Sequence, residues 1–346
     1  MIEAWEYGLM IFWYIVFVVS VACYGMLDGF DLGVGSLHLF VKKDEERRIF
    51  LNAIGPVWDG NEVWLVIVVG GMFAGFPSAY ATFFSAFYIP IYFLIFALIF
   101  RAVAIEFRSK LPTRWWRSSW DVLFFLASVV IAFGLGVALG NLIQGIPLNE
   151  DHEYIGEMIL TFLRPYPILV GILTLSLFTL HGTIYLVMKT EKSLQSQLIR
   201  WLRPTLIFFI ISYAITTVVT LIYQEHMVET IRERSYLFFI ALANIFVVAN
   251  IPREFDKHRY GWAFICSCIN IALLLILYAL GSFPNLIRSS INPELNSITL
   301  INAASSTKTL SILSLIVFIG LPLVFGYGFF IYRLFRGKVK LDHMSY

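Results

Sequence analysis

Apolar residues occur along the chain in long runs that short polar segments separate. A helix needs about 20 consecutive apolar residues to cross the hydrocarbon core of a bilayer. Runs of that size predict nine membrane-spanning helices, at about 8–38, 54–76, 79–105, 121–143, 161–188, 204–223, 236–251, 260–282 and 309–333. The seventh run, YLFFIALANIFVVAN, is the shortest, and its length alone would also fit a re-entrant segment.

The basic residues test this count, because Lys and Arg accumulate in cytoplasmic loops. With nine spans and the N-terminus outside, five of the 25 basic residues fall in outside segments and the other 20 fall inside. Dropping the shortest span would reverse every later loop and remove this bias. We therefore predict nine spans, with the N-terminus outside and the C-terminus in the cytoplasm. The five outside residues are Arg164, Arg232, Arg234, Arg288 and Lys308.

Composition agrees with an all-α integral membrane protein. Hydrophobic residues make up 59% of the 346 residues and charged residues only 14%, whereas soluble domains carry roughly 25% charged residues. Mean hydropathy is +0.79. The net charge of +2 is too small to indicate a nucleic-acid partner.

A faint internal repeat suggests how the spans are grouped. GSLHLFVKKDEERR after the first span resembles GTIYLVMKTEKSLQ after the fifth, and EFRSKLPTRWWRSSWDVLFF after the third is similar to REFDKHRYGWAFI after the seventh. Both matches are four spans apart, which preserves direction across the membrane. Chance similarity is the alternative. The repeat predicts two four-helix bundles, at 1–145 and 146–283, and a peripheral ninth helix with a cytoplasmic tail at 284–346.

Ionisable residues inside a span are energetically costly and usually mark a functional path. At 1.5 Å per residue, Asp28 and Asp31 lie about 30–36 Å along the first span, close to its cytoplasmic end. They are three residues apart, so they share one helix face. A solvated helix end is the alternative interpretation of this pair.

The motif VWDGNEVW, at 57–64, opens the second span at the same predicted membrane face. Asp59 and Glu62 are again three residues apart. A proline before a helix and an acid in its first turn are also ordinary helix-start features, which would explain Asp59. Glu62 lies one turn deeper, however, and an uncharged apolar run follows it.

Arg101 returns to this level on the third span, and an unpaired buried charge is strongly unfavourable. We therefore expect Arg101 to be the counter-ion of one of the four acids. Such a polar cluster could conduct protons or could only hold the helices together, and the residues themselves leave both alternatives open.

Of the six histidines, only His181 lies well inside a span. Haem iron usually recruits His, Met or Cys as an axial ligand, but a single core histidine is more often a hydrogen-bonded packing residue. We expect no confident cofactor ligand, no metal site and no catalytic residue in this chain, with His181 as a weak candidate for binding a cofactor.

Several motifs resemble subunit II of cytochrome bd-type quinol oxidases. The similarity is dense over 20–150 and collinear to the end of the chain; it rests on YGMLDGFDLGVGSL, PVWDGNEVWL, FRAVAIEFRSK, GNLIQGIPLN and INAASSTKTL. It implies a subunit of a terminal oxidase of aerobic respiration, in a bacterial or archaeal cytoplasmic membrane, whose substrates are quinol and dioxygen. It also implies a haem-bearing subunit I as partner, which holds two haem b groups and one haem d.

The resemblance implies that Asp28, Asp31 and Asp59 contribute to proton uptake from the cytoplasm and that Arg101 is the basic group beside them. Glu62 transfers less well, because glutamine is also familiar at that position. A structural quinone and a small single-helix accessory subunit are further candidate partners. A proton-coupled secondary transporter is the alternative function, although transporter sites tend to lie near the membrane midplane.

Overall fold

The computed structural model describes residues 3–233 and 235–341, so Arg234 and the chain ends lie outside the described residues. The fold is almost entirely helical, as predicted. Its helices are α1 (Ala4–Leu37), α2 (Asp44–Ile54), α3 (Trp58–Gly75), α4 (Pro77–Ala86), α5 (Tyr88–Phe107), α6 (Arg114–Gln144), α7 (Met158–Phe162), α8 (Pro165–Lys189), α9 (Lys192–Tyr223), α10 (Glu225–Glu233), α11 (Phe238–Asp256), α12 (Tyr260–Ser282), α13 (Pro293–Asn296), α14 (Leu300–Ala303) and α15 (Thr307–Leu334). The 3₁₀ helices are His38–Phe40, Arg108–Lys110 and Ser235–Leu237, and the strands β1 (Asn285–Ile287) and β2 (Ile298–Thr299) pair antiparallel.

Within the described ranges, eight helices are long and apolar enough to cross a membrane. The pair α2 and α3, bent by 49°, brings the number to nine when it is counted as one span. The described structure therefore confirms a multi-pass helical protein with eight to nine candidate spans. The shortest predicted span forms a helix of 19 residues, α11, that meets the same test.

The third predicted span is not one straight helix, because it breaks at Phe87 between α4 and α5. Pro90 explains the break. A proline ring collides with the carbonyl of the residue four positions earlier and has no N–H to donate. Placing Pro90 in the first turn of α5, where no intrahelical N–H bond is needed, removes both problems.

Helix α1 lies at the centre of the fold, where it packs against α3, α6, α8 and α12. Its C-terminal half is buried, including both of its aspartates. Helix α15 packs on α1 and α3 at the edge, and among its described residues Leu310 alone is buried. The charged positions predicted at the end of the first span therefore lie inside the helix assembly.

The N- and C-terminal ends of the described chain lie at opposite ends of the helices. Near the start of α1, Thr307 donates a hydrogen bond to Glu6 (2.9 Å). Farther along, Trp13 donates to the carbonyl of Leu310 (3.1 Å). Because α15 therefore runs parallel to α1, its last turn reaches the end of the fold that contains the aspartates of α1.

Helices α1 and α8 cross in close contact at Gly33 and Gly182. A Cβ atom on Gly33 would lie 1.9 Å from the carbonyl oxygen of Phe178, and one on Gly182 would lie 2.5 Å from the carbonyl carbon of Gly33. Here the two backbones touch directly, as small residues allow in membrane helix pairs. This contact sets how deeply α1 is embedded.

We expect Gly33→Ala to lower the thermal unfolding temperature of the purified protein strongly, because the methyl group forces α1 and α8 apart along their length. Overpacking of this kind costs about 1–3 kcal/mol or more. Gly134→Ala on α6 is the matched control, since no heavy atom lies within 4 Å of its added Cβ. Equal unfolding temperatures for the two variants would show that the crossing tolerates separation.

Candidate functional site

The described structure brings the predicted polar residues of three spans together near the C-terminal end of α1. We call Asp28, Asp31, Asp59, Glu62 and Arg101 the acid layer. Its innermost contact is a two-pronged ion pair: Arg101 Nη1 donates to Asp28 Oδ2 (2.8 Å) and Nη2 donates to Asp28 Oδ1. Both side chains are fully buried. A bidentate guanidinium–carboxylate pair is the geometry that best compensates for removing two charges from water.

Asp31, one turn further along α1, is also fully buried but has a different environment. Its Oδ2 accepts a hydrogen bond from Asn61 Nδ2 (2.8 Å), and Tyr332 Oη donates to Asn61 Oδ1 (2.7 Å). Asn61 also donates to the carbonyl of Leu27 (3.2 Å). A chain of hydrogen bonds therefore connects α15 through α3 to Asp31.

Charge counting distinguishes the two aspartates of α1. The groups that interact electrostatically with Asp31 include Asp28, Glu62 and Arg101, and among these described residues Arg101 is the one cation. Its two terminal nitrogens are directed at Asp28. An isolated buried carboxylate costs far more free energy than a paired one. The acid layer therefore approaches neutrality only when it also holds protons.

The motif VWDGNEVW forms the first two turns of α3, and its helical periodicity divides the polar residues between two faces. Asn61 and Trp64 are buried, whereas Asp59 is exposed at the surface of the chain. Glu62 is half-buried, within electrostatic reach of Arg101 and Asp28. The motif therefore extends from an exposed carboxylate to an amide that contacts the buried one.

A second charged group, the corner cluster, lies where α1, α2, α5 and α6 meet. Its centre is Asp121, whose carboxylate accepts bonds from His38 Nε2 (2.5 Å), Arg108 Nε (2.6 Å) and Arg47 Nη1 (2.8 Å). Its outer members are Asp44, Arg108 and Arg117: Asp44 accepts from Arg108 Nη2 (2.7 Å) and Arg117 Nη1 (2.8 Å). Arg108 follows Arg101 by seven residues, so the corner cluster lies about 10 Å closer to the helix ends than the acid layer.

His181 is fully buried, and both of its ring nitrogens are engaged. Nε2 lies 2.9 Å from the carbonyl oxygen of Met26, and Nδ1 lies 2.8 Å from Ser267 Oγ. A carbonyl can only accept, so Nε2 donates and Nδ1 accepts from the hydroxyl. The ring also stacks on Phe264, with centroids 4.7 Å apart. Neither nitrogen is directed at a space for a metal centre, so His181 does not fit the role of axial haem ligand.

Among residues 3–233 and 235–341, no group of three or more His, Cys, Asp or Glu side chains is arranged to hold a metal ion. The oxygen atoms of the acid layer belong to carboxylates, and those of Asp28 and Asp31 contact an arginine and an amide. The arrangement suits the holding and transfer of protons between oxygen atoms rather than metal ligation.

Two features of the site were not evident from the sequence. Tyr332 lies 271 positions from the asparagine it contacts, and no local pattern marks it. The corner cluster joins residues whose separations reach 83 positions. His38 and Asp121 each stood at the end of an apolar run, which is the one signal that could have indicated them.

Known proteins resemble this chain over nearly its whole length. The family described as cytochrome bd terminal oxidase subunit II matches residues 9–335. The chain is 32% identical to a probable cytochrome oxidase subunit 2 of Haemophilus influenzae, with 97% of each sequence covered. It is 31% identical to a cytochrome bd ubiquinol oxidase subunit 2 of Bacillus subtilis, covering 95% of this chain and 96% of the relative.

A cytochrome bd-I ubiquinol oxidase subunit 2 of Escherichia coli is 30% identical, with 97% of each sequence covered. The fold matches a chain in the structure of bd oxidase from Geobacillus thermodenitrificans with a TM-score of 0.79 at 18% identity, covering 95% of this chain and 98% of the other. The structural match extends the similarity to the arrangement of the helices.

Proposed function

Because this chain belongs to the subunit II family of cytochrome bd terminal oxidases, we propose that its acid layer takes up protons for the reduction of dioxygen in a partner subunit. Membership makes the chain a subunit of an oxidoreductase complex. The observation that carries the proposal is the buried Asp31, which interacts with its neighbours through an amide hydrogen bond while the arginine pairs with Asp28.

The partner we propose is a haem-bearing subunit I, in which two haem b groups and one haem d bind. Three relatives are named as cytochrome oxidase or ubiquinol oxidase subunits, which supports quinol as electron donor and dioxygen as acceptor. The haems supply the electron transfer and oxygen chemistry when bound. The hydrogen-bonded state of His181 supports placing every axial ligand in the partner. A structural quinone and a single-helix accessory subunit remain further candidates.

We propose a cytoplasmic membrane location, with the acid layer facing the cytoplasm and the N-terminus outside. The basic residues of the connecting segments support this orientation, and the parallel run of α1 and α15 is consistent with an odd number of crossings. We also propose two four-helix bundles, at 1–145 and 146–283, and a peripheral helix in 284–346.

In the proposed mechanism, protons enter at Asp59, the exposed carboxylate of the layer, and reach the buried carboxylates over water that passes the half-buried Glu62. Arg101 fixes Asp28 by its two-pronged pair, so that Asp31 is the carboxylate free to exchange a proton. Asn61 holds Asp31 in one orientation. The chain's own contribution is thus to hold and release protons at Asp31, and its corner cluster fixes the helix ends around that path.

We expect Asp59→Asn in the assembled complex to slow oxygen consumption about tenfold while the haem absorbance is unchanged, because general acid–base groups typically contribute factors of ten or more. Glu62→Gln is the matched control and should reduce turnover by less than about threefold, since in this path Glu62 only hydrogen-bonds to the water that carries the proton, which a glutamine amide also does. Oxygen uptake with a quinol donor measures both variants.

Normal turnover of Asp59→Asn across the pH range would remove Asp59 from the path and favour a purely structural acid layer. Loss of haem together with turnover would point to assembly instead. The transporter alternative receives no support from the relatives, all of which are named as oxidase subunits.

A further inference from the structure

An open cavity of about 630 Å³ lies where α11 leads into α12, beside the chain that follows α15. It is at the same end of the fold as the acid layer, but on α8 and α12 rather than on α3 and α5. Its lining combines basic, aromatic and apolar side chains: Met188, His258, Arg259, Tyr260, Gly261, Trp262, Ile265 and Lys338.

Among the described residues, the lining of this cavity holds two cations, Arg259 and Lys338, and no carboxylate, while Glu254 and Glu191 interact with these cations from outside the lining. Arg259 is largely exposed, and the nearest carboxylate oxygen paired with it, on Glu254, is 4.0 Å away. Burial lowers the pKa of Lys338, and the carboxylate of Glu191 acts in the opposite direction. Burial therefore disfavours the charged form of Lys338, and an anionic group in the cavity would stabilise that form. His258 adds a third nitrogen-bearing side chain, with its Nδ1 2.9 Å from the hydroxyl of Tyr260.

The cavity is held by fixed contacts. The backbone N–H of Val339 donates to the carbonyl of Lys189 (2.8 Å), and Lys338 Nζ donates to the carbonyl of Val187 (3.2 Å). These bonds place the basic tail against the end of α8. No heavy atom lies within 4 Å of a Cβ built on Gly261, so a ligand can approach the first turn of α12, where the helix dipole is positive.

An apolar stripe runs from the cavity along α12 in the direction of the membrane interior. Its members recur at helical spacing and are 37–60% exposed: Trp262, Ile265, Ile269 and Ile276. A tryptophan beside basic residues is typical of the membrane–water interface. The cavity and the stripe together present a positive pocket above an apolar surface.

We propose that this cavity binds the phosphate headgroup of an anionic phospholipid, with one acyl chain against the apolar stripe of α12. Basic pockets between membrane helices recognise such headgroups, and the stripe supplies a surface that inorganic phosphate could not use. The site is separate from the proton-uptake site and does not depend on that function.

The test uses the complete complex in nanodiscs of phosphatidylcholine containing a small fraction of phosphatidylglycerol. Native mass spectrometry counts the phosphatidylglycerol retained by the wild type, by Arg259→Gln with Lys338→Gln, and by the control Arg336→Gln with Lys340→Gln. The control removes the same charge from exposed residues of the same tail. We expect about 30-fold weaker retention in the first variant, because it loses two direct charge-assisted hydrogen bonds to the phosphate.

The control should change retention by less than about threefold, because Arg336 and Lys340 lie outside the cavity lining and their charges are screened by salt. Arg259→Lys with native Lys338 should keep most of the retention, because the cation is preserved. Equal losses of phosphatidylglycerol retention in the two double variants would show that only the general surface charge matters, and would overturn the proposal. Displacement of phosphatidylglycerol by millimolar inorganic phosphate alone would also overturn it, by identifying a free-anion site. Haem absorbance checks that each variant has assembled.

Discussion

Replacing Arg101 by methionine is expected to prevent accumulation of the assembled complex. The change leaves Asp28 buried opposite an apolar side chain, and breaking a buried ion pair in this way costs about 3–5 kcal/mol. Many domains have a total stability of only about 5–15 kcal/mol, so this loss removes a large share of the free energy that keeps the protein folded. The yield of haem-containing complex, from its reduced-minus-oxidised spectrum, and its thermal unfolding temperature measure the effect.

The reason for the expected loss is the uncompensated charge rather than the lost side-chain volume, and a double variant separates the two. Arg101→Met combined with Asp28→Leu removes both charges, and well-packed apolar replacements of buried ion pairs are often neutral. The double variant should therefore assemble better than Arg101→Met alone. Arg203→Met, at an exposed position of α9, controls for the loss of a cation. If Arg101→Met assembled with the wild-type unfolding temperature, the pair would have no part in holding the helices.

Asp31→Asn is expected to lower oxygen consumption about tenfold to 100-fold in a complex that assembles with full haem content. Asparagine has nearly the same shape as aspartate but cannot exchange a proton at neutral pH, and groups that transfer protons contribute such factors. The measurement is oxygen uptake over the pH range of wild-type activity, together with the solvent deuterium isotope effect, which should rise when proton delivery limits the rate.

Tyr332→Phe is the companion variant. It removes the hydroxyl that donates to Asn61 and leaves every carboxylate in place, so we expect a reduction of less than about fivefold and a displaced pH profile. A structural role of Asp31 would instead lower haem content and unfolding temperature. Full turnover of Asp31→Asn at every pH would exclude it from proton uptake.

The level of the polar residues along their helices could be predicted from the sequence, whereas their partners could not. This level follows from the number of residues along a helix, which is a local quantity. The spans, the level shared by Asp28 and Arg101, and the place of Glu62 one turn beyond Asp59 were therefore accessible. Which carboxylate Arg101 would contact depends on how α1 and α5 are rotated, and that is set by packing across the whole assembly.

The motif VWDGNEVW shows the same limit within one turn of helix. The resemblance implied a role in proton uptake for Asp59 and none for Asn61, yet Asn61 is the buried residue that contacts Asp31, and Asp59 is exposed. Helical periodicity predicts that they point in different directions, but not which direction is inward. The break at Phe87 is a different case, because it could have been predicted from Pro90. The continuous apolar run led instead to the prediction of a single helix there.

Helix α15 has a mechanical consequence for the acid layer. Its 28 residues give a length of about 42 Å, which exceeds a hydrocarbon thickness of about 30 Å, so the helix meets the mismatch by tilting or by extending into the headgroups. Most of its described residues are exposed on the surface of the chain. Its hydrogen bonds to α1 and α3 lie near its two ends, at Thr307, Leu310 and Ser314 and at Tyr332. We therefore expect bilayer thickness to act on the tilt of α15, and the Tyr332–Asn61 hydrogen bond to pass a change of tilt to the amide that orients Asp31.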